Sequence, residues 1–84
     1  MEKKNRKIVI LPSGWVFVGI WKQNGTRVVL TETACIRKWG TTCGIGELAL
    51  KGPLKETILD TAGTVSFQLG TEIAALDCQT GNWP

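Results

Sequence analysis

The chain has 84 residues, 43% of them hydrophobic and 20% charged, which fits one folded domain and excludes a disordered acidic or basic chain. It contains no histidine and no tyrosine. Histidine is the commonest general base and a preferred zinc ligand, so the composition argues against most hydrolases and metalloenzymes. The formal net charge is +3.

The charge is distributed unevenly, and we expect the chain to have three parts. Residues 1–7 form a basic N-terminal tail with a net charge of +3, because four cations stand against Glu2. Residues 8–78 form a single β-rich domain in which six basic and six acidic side chains balance, and 79–84 form a C-terminal tail. Since duplex binding requires a basic folded surface, nucleic-acid binding is not expected of this domain. No apolar run approaches a membrane span or a signal peptide, so a cytoplasmic location and no membrane partner are expected.

Short β-rich segments punctuated by turn residues follow the tail. Residues 7–11 predict a strand that ends at the turn Pro12-Ser13-Gly14. Residues 15–22 and 26–31 predict a hairpin with Asn24-Gly25 as its turn. Residues 45–50 predict a short helix that Gly52-Pro53 ends. Further strands are predicted at 34–39, 56–59, 64–69 and 72–78.

These elements indicate a mainly β fold of six or seven short strands and one short helix, either a small antiparallel barrel or a strongly bent sheet. The strand from Trp15 to Trp21 is apolar on both faces, whereas a sheet in water usually keeps one face polar. Either both faces are covered within the domain, or a second subunit covers one. The small size of the chain favours a homo-oligomer, with an expected interface at Trp15, Phe17, Trp21 and Trp83. Gly19 predicts a bulge or a bend.

A candidate ligand site precedes the predicted helix. Two cations, an indole, hydroxyls and glycines lie together there, and such groups bind phosphate and stack on a base. The expected ligand-binding residues of a small anionic nucleotide are Arg37, Lys38, Trp39, Thr41 and Thr42, with Arg27. In the alternative interpretation Thr42 caps the helix, Trp39 belongs to the core, and Arg37 and Lys38 are solvated.

No catalytic constellation is evident. The carboxylates show no paired spacing, and the serines have no histidine partner. Three cysteines without a CxxC pair indicate neither a disulfide framework nor a zinc site. Cys35 and Cys78 are expected to be buried, and Cys43 to lie in an exposed loop. No enzyme activity, metal or cofactor is therefore expected.

Several segments together resemble a group of short, functionally uncharacterised bacteriophage proteins. The matching features are the strand Trp15–Gly19 after Gly14, Val28-Val29-Leu30, the Ala34–Trp39 segment, the helix end from Leu48-Ala49 to Gly52, and Glu72-Ile73 followed by Cys78. The resemblance implies a viral origin and a reducing host cytosol. It also implies a class that includes inhibitors of host defence, some of them oligomers that sequester nucleotide immune signals.

Three functions are therefore open at the level of sequence. The first is a non-enzymatic homo-oligomer that binds and sequesters a small anionic nucleotide. The second is an interaction module that blocks a host protein through a tryptophan-rich surface. The third is a nucleic-acid accessory protein that uses the basic tail.

Overall fold

A computed structural model describes residues 5–41, 44–79 and 83. Within them, one antiparallel sheet has the strand order β4-β3-β2-β1-β5. The elements are β1 (Arg6–Ile10), β2 (Val16–Asn24), β3 (Arg27–Lys38), α1 (Ile45–Lys51), β4 (Ile58–Gln68) and β5 (Ala74–Asp77), with a 3₁₀ turn at Pro12–Gly14. The mainly β prediction with one short helix is confirmed. None of the described helices is long and apolar enough to cross a membrane.

The β2–β3 hairpin forms where the sequence predicts it, with the turn one residue later. Asn24 pairs with Arg27, so the turn residues are Gly25 and Thr26. Gly25 has a φ of +62°, which is the conformation a two-residue hairpin turn requires at its first position. The turn matches the twist of the two strands and fixes their register.

Two long strands replace the four short ones expected between residues 26 and 69. β3 continues through Glu32, which adopts a φ of +50°, and β4 continues through Gly63 at +72°. The pairing of β3 with β4 shifts register around these residues. Each apparent break in the sequence pattern is therefore a β-bulge inside a continuous strand, and the expected count of six or seven strands is wrong.

The irregularities line up across three strands, and we call this row the bend line: Gly19 of β2, Thr33 of β3 and Gly63 of β4. The β2–β3 register shifts between Val18 and Ile20, and Thr33 pairs with Gly63. A side chain at Gly19 would place its Cβ 2.8 Å from the Thr33 Oγ1. Glycine thus allows the strands to approach closely where they bend, as the sequence predicts for Gly19.

The connection from β4 to β5 requires this bend. The strand registers place Ala74, the first residue of β5, level with Leu59 of β4 on the opposite edge of the sheet. In a flat sheet, Gln68 would therefore lie about 30 Å from Ala74 along the strand direction and about 19 Å from it across the strands. Residues 69–73 must connect Gln68 to Ala74, and they span at most about 22 Å. The sheet is therefore strongly bent, and because β4 and β5 do not pair with each other it does not close into a barrel.

The convex face of the sheet is covered by the helix and by the end of the chain. Ile8, Val18 and Ile36 are buried there against Leu48 and Ala49 of α1, and the same cluster includes Cys78 and Trp83. The helix ends at Gly52, whose φ is +83° and whose N–H donates to the Leu48 carbonyl oxygen. The predicted helix and its end signal are confirmed.

The concave face is covered by the bent sheet itself. Val9 of β1 is fully buried against Val28 and Leu30 of β3 and Phe67 of β4, and Phe17 and Trp21 pack at the border of this cluster. Both faces of the apolar β2 strand thus find most of their cover within one chain. The homo-oligomer stays a prediction, but burial of β2 no longer requires it.

Truncation of α1 tests how the convex face is covered. Leu48 is 0% exposed and Leu50 is 63% exposed on the same helix. We expect Leu48→Ala to lower the free energy of unfolding by about 2–5 kcal/mol because it leaves a cavity under the helix. Leu50→Ala is the matched control, with an expected change within about 0.5 kcal/mol. Urea unfolding followed by circular dichroism measures both, and equal effects would contradict this packing.

Candidate functional site

The loop after β3 presents Trp39 at the surface. The Trp39 side chain is 40% exposed. Its main-chain carbonyl accepts a hydrogen bond of 2.6 Å from the Thr57 Oγ1, which in turn accepts one of 2.9 Å from the Leu54 N–H. A Cβ at Gly40 would lie 2.3 Å from the main-chain carbon of Glu56. The loop is therefore held against residues 54–57, and the indole is displayed from a fixed backbone.

The neighbouring predicted ligands differ in their freedom to bind an anion. Arg37 donates to both carboxylate oxygens of Asp60, at 2.8 and 3.5 Å, so its charge is already engaged in a surface ion pair. Lys38 is exposed beside Trp39, and Thr41 is half-buried. Thr42 and Cys43 lie outside the described residues. Lys38 and Trp39 are thus exposed neighbours at the end of β3, while the Arg37 charge is engaged by Asp60.

Arg27 lies at the opposite end of β3 from this loop. It opens the strand next to the hairpin turn, and its guanidinium donates a hydrogen bond of 3.1 Å to the Ser66 Oγ. β3 has twelve residues, so about 36 Å of strand separates Arg27 from Lys38. Within one chain, Arg27 cannot share a pocket with Trp39.

A second surface combines aromatic and aliphatic side chains on the concave side of the sheet. Trp15 is 57% exposed, and its ring stacks on Phe17 with a centroid distance of 6.0 Å. The Leu11 N–H donates to the Trp15 carbonyl, and the Ile73 N–H donates to the Ile10 carbonyl, so β1 lies between Trp15 and Ile73. Ile73 is 69% exposed. We call this surface the Trp15 patch: Leu11, Trp15, Phe17 and Ala75, with the exposed Ile73 next to β1 at the same end of the sheet.

An ion pair borders the Trp15 patch one row further along the strands. Lys7 and Asp77 are cross-strand partners, and their charged groups are 3.0 Å apart. The Lys7 ammonium also lies 5.1 Å from the ring centroid of Trp21. The patch is therefore neutral and apolar at its centre, and the charged groups of Lys7 and Asp77 form one of its borders.

The four residues of the expected oligomer interface do not form one surface. Trp15 and Phe17 belong to the Trp15 patch. Trp21 packs edge-on against Phe67 with a centroid distance of 5.7 Å, and Trp83 is buried in the convex core. Trp83 is thus not accessible to a second copy. Sequence reasoning missed Leu11 and Ile73, because only the pairing of β1 with both β2 and β5 brings them beside Trp15.

Cys78 lacks the features of a reactive thiol. Cys78 is buried in the convex core, and desolvation raises its pKa to about 11 despite the opposing charge of Arg6. Its thiol is therefore protonated at neutral pH and behaves as a small apolar side chain. Cys35 is half-buried in β3.

Most carboxylates of the described residues have structural partners. Asp60 pairs with Arg37, Asp77 with Lys7 and Glu47 with Lys51, and Glu72 accepts a hydrogen bond from the Gly70 N–H. Across residues 5–41, 44–79 and 83, no three histidine, cysteine or acidic side chains lie close enough to hold a metal ion. A concavity of about 390 Å³ beside the bend line is lined by Ala34, Leu59 and Thr61 among others, and provides no cation for a phosphate.

Comparison with known proteins gives no match: neither a family model, nor a curated protein, nor a solved structure is similar to this chain. The geometry of the two surfaces is therefore the basis for the functional inference.

The hydroxyl of Thr57 provides a test of how firmly the Trp39 loop is held. We expect the near-isosteric Thr57→Val to lower the free energy of unfolding by about 1 kcal/mol and to speed hydrogen exchange in the loop, because the Trp39 carbonyl and the Leu54 N–H lose their common partner. Thr57→Ser keeps the hydroxyl and is expected to behave as the wild type. Loop exchange that is unchanged in Thr57→Val would show that this hydroxyl does not hold the loop.

Proposed function

We propose that this chain is a non-enzymatic binding module that contacts another protein through the Trp15 patch. The observation that carries the proposal is Trp15 itself, a large aromatic side chain that is more than half exposed although the chain has a core on each face of its sheet. Exposed apolar clusters of this kind are typical of protein-interaction sites.

The composition of the patch fits a protein partner. Tryptophan provides a large contact area with few rotatable bonds, and residues of this type carry much of the energy of protein interfaces. The stack of Trp15 on Phe17 fixes the indole before a partner binds, which lowers the entropic cost of association. The ion pair of Lys7 and Asp77 supplies a polar border, as interfaces commonly have around an apolar centre.

Substitution of Trp15 tests this function. A photo-crosslinking amino acid is placed at position 15 in the cells that produce the chain, and it is expected to capture a partner protein. Binding of that partner is then reproduced with the purified chain and the purified partner. Trp15→Ala should weaken that reconstituted affinity by more than about thirtyfold, the effect of a binding hot spot of about 2 kcal/mol. Trp39→Ala, which removes an exposed indole elsewhere, is the matched control and should leave the affinity unchanged.

Two results would reject the protein-binding function. One is a purified complex whose affinity is the same with Trp15→Ala as with the wild type. The other is an experiment in which crosslinking at position 15 captures no protein, while native mass spectrometry shows that the purified chain retains a small molecule.

The exposed Trp39 favours a second candidate, sequestration of a small anionic nucleotide. Lys38, the last residue of β3, is exposed and directly precedes Trp39, and its ammonium group would serve as the cation for the phosphate of a nucleotide whose base stacks on the indole. Base stacking on an aromatic side chain contributes about 1–3 kcal/mol. In this second proposal the protein keeps its ligand without turnover, as the resemblance to phage proteins implies.

A nucleotide panel separates the two candidates. If the second is right, mono-, di- or cyclic nucleotides should quench tryptophan fluorescence, and Trp39→Ala should weaken the affinity at least about tenfold through the lost stacking. Trp15→Ala should not change it. Binding that is indifferent to Trp39, or no response to any nucleotide at millimolar concentration, would exclude this loop as the site.

A further inference from the structure

We propose that the free edge of β4, residues 64–68, pairs with the same edge of a second copy of the chain around a two-fold axis at Ser66. This surface is separate from the Trp15 patch and from the Trp39 loop. The proposal therefore extends the function proposed above and does not depend on it.

The hydrogen-bond pattern identifies which main-chain groups of β4 point away from the sheet. The Leu69 N–H donates to the Thr26 carbonyl oxygen, and Thr26 and Leu69 are level in the register in which Arg27 pairs with Gln68. In an antiparallel ladder every second residue bonds to the neighbouring strand. Val65, Phe67 and Leu69 thus bond toward β3, while the main-chain groups of three residues point outward: Thr64, Ser66 and Gln68. Of these groups, the Gln68 carbonyl already accepts a hydrogen bond from the Thr71 N–H.

The residues of this edge carry none of the usual protection against pairing, and the charge that approaches them comes from β3, where the Arg27 guanidinium donates a hydrogen bond of 3.1 Å to the Ser66 Oγ. Residues 64–68 (Thr-Val-Ser-Phe-Gln) contain no charged residue and no proline, and the register of β3 with β4 is regular from Arg27 to Leu30. Sheet edges in monomers are commonly blocked by charges, proline or bulges. The register shift of β4 lies between Val65 and Gly63, at the start of this edge, so the regular part of the ladder runs from Val65 to Gln68.

The opposite edge of the sheet is a poorer candidate. The Cys78 N–H donates to the Arg6 carbonyl, so by the same alternation only Ala75 and Asp77 of β5 point outward. One of these two is charged, and the strand has four residues. β5 therefore offers fewer main-chain hydrogen bonds and places a carboxylate at the contact.

The β4 edge is complementary to itself. With Ser66 opposite Ser66 of the second copy, Thr64 faces Gln68 of that copy, and the outward-pointing residues provide four main-chain hydrogen bonds besides any that the Gln68 carbonyl, which also accepts from the Thr71 N–H, would accept. The same register places Val65 opposite the second copy's Phe67 on the concave face. Val65 is half-buried and Leu69 is 37% exposed on that face, so the pairing would cover apolar surface left open by one chain.

Head-to-tail pairing of β4 with β5 of another copy fits less well. Opposed residues in a sheet place their side chains on the same face. The side chains of the outward-bonding residues lie on the convex face in β4, as for Ser66, and on the concave face in β5, as for Ala75 beside Val9. Such a pairing would join the concave face of one copy, at Ala75 of β5, to the part of the convex face of the next copy that carries Thr64, Ser66 and Gln68. The alternation thus favours a closed two-fold dimer over a ring or filament.

Proline scanning of the two edges tests the proposal by sedimentation velocity. The wild type is expected to sediment with twice the chain mass of 9.2 kDa. Ser66→Pro should give a monomer, because proline removes the outward N–H at the centre of the pairing without removing a main-chain hydrogen bond within the chain. The side-chain hydrogen bond from Arg27 to the Ser66 Oγ is lost equally in Ser66→Pro and in Ser66→Ala. Ala75→Pro makes the same change at the other edge and should stay dimeric, as should Ser66→Ala, which keeps the N–H.

Three outcomes would overturn the proposal. They are a monomeric wild type at its highest soluble concentration, a folded Ser66→Pro variant that is still dimeric, and a dimer that dissociates in Trp15→Ala, which would place the contact on the Trp15 patch. If Ser66→Pro does not fold, amide hydrogen exchange of the wild type decides. The N–H groups of Thr64, Ser66 and Gln68 should be protected in the dimer, and exchange at the rate of open edge amides would reject the pairing.

Discussion

The fold depends on the close approach of β2 and β3 at the bend line. Gly19 leaves no room for a side chain against Thr33, and the register of both neighbouring strand pairs shifts at this level. The bend lets the two halves of one sheet bury Val9, Val28 and Leu30 between them, while the other face receives α1. A chain of 84 residues thereby obtains two apolar clusters from a single sheet.

Local signals in the sequence were sufficient for the elements they control. The hairpin followed from a glycine turn between apolar runs, and the helix end from Gly52 and Pro53, because both depend on neighbouring residues alone. The continuity of β3 was not predictable in this way. Glu32 adopts a positive φ that its residue type does not announce, and only pairing with β2 and β4 keeps the strand together around it.

The candidate surfaces were predictable to a similar extent. Trp15 and Phe17 share a face because residues two apart in a strand do so, and Trp39 was expected next to Lys38. Ile73 joins the Trp15 patch only because the last strand pairs with the first, which no local pattern shows. The same long-range arrangement separates Arg27 from the Trp39 loop and buries Trp83, two outcomes that residue type and charge did not indicate.

Pairing between β1 and β5 also has a consequence for how the molecule folds. Lys7 and Asp77 are neighbours in space but 70 positions apart in the chain, and closing so large a loop costs more entropy than forming the adjacent hairpins. Contacts of such high sequence separation slow folding and tend to form late. Ala75 and Ile73 are placed next to β1, and so at the end of the sheet that carries Trp15, only after this closure. The Trp15 patch is therefore complete in the native state alone. A partner that recognises the whole patch would therefore select the fully folded chain and stabilise its final strand.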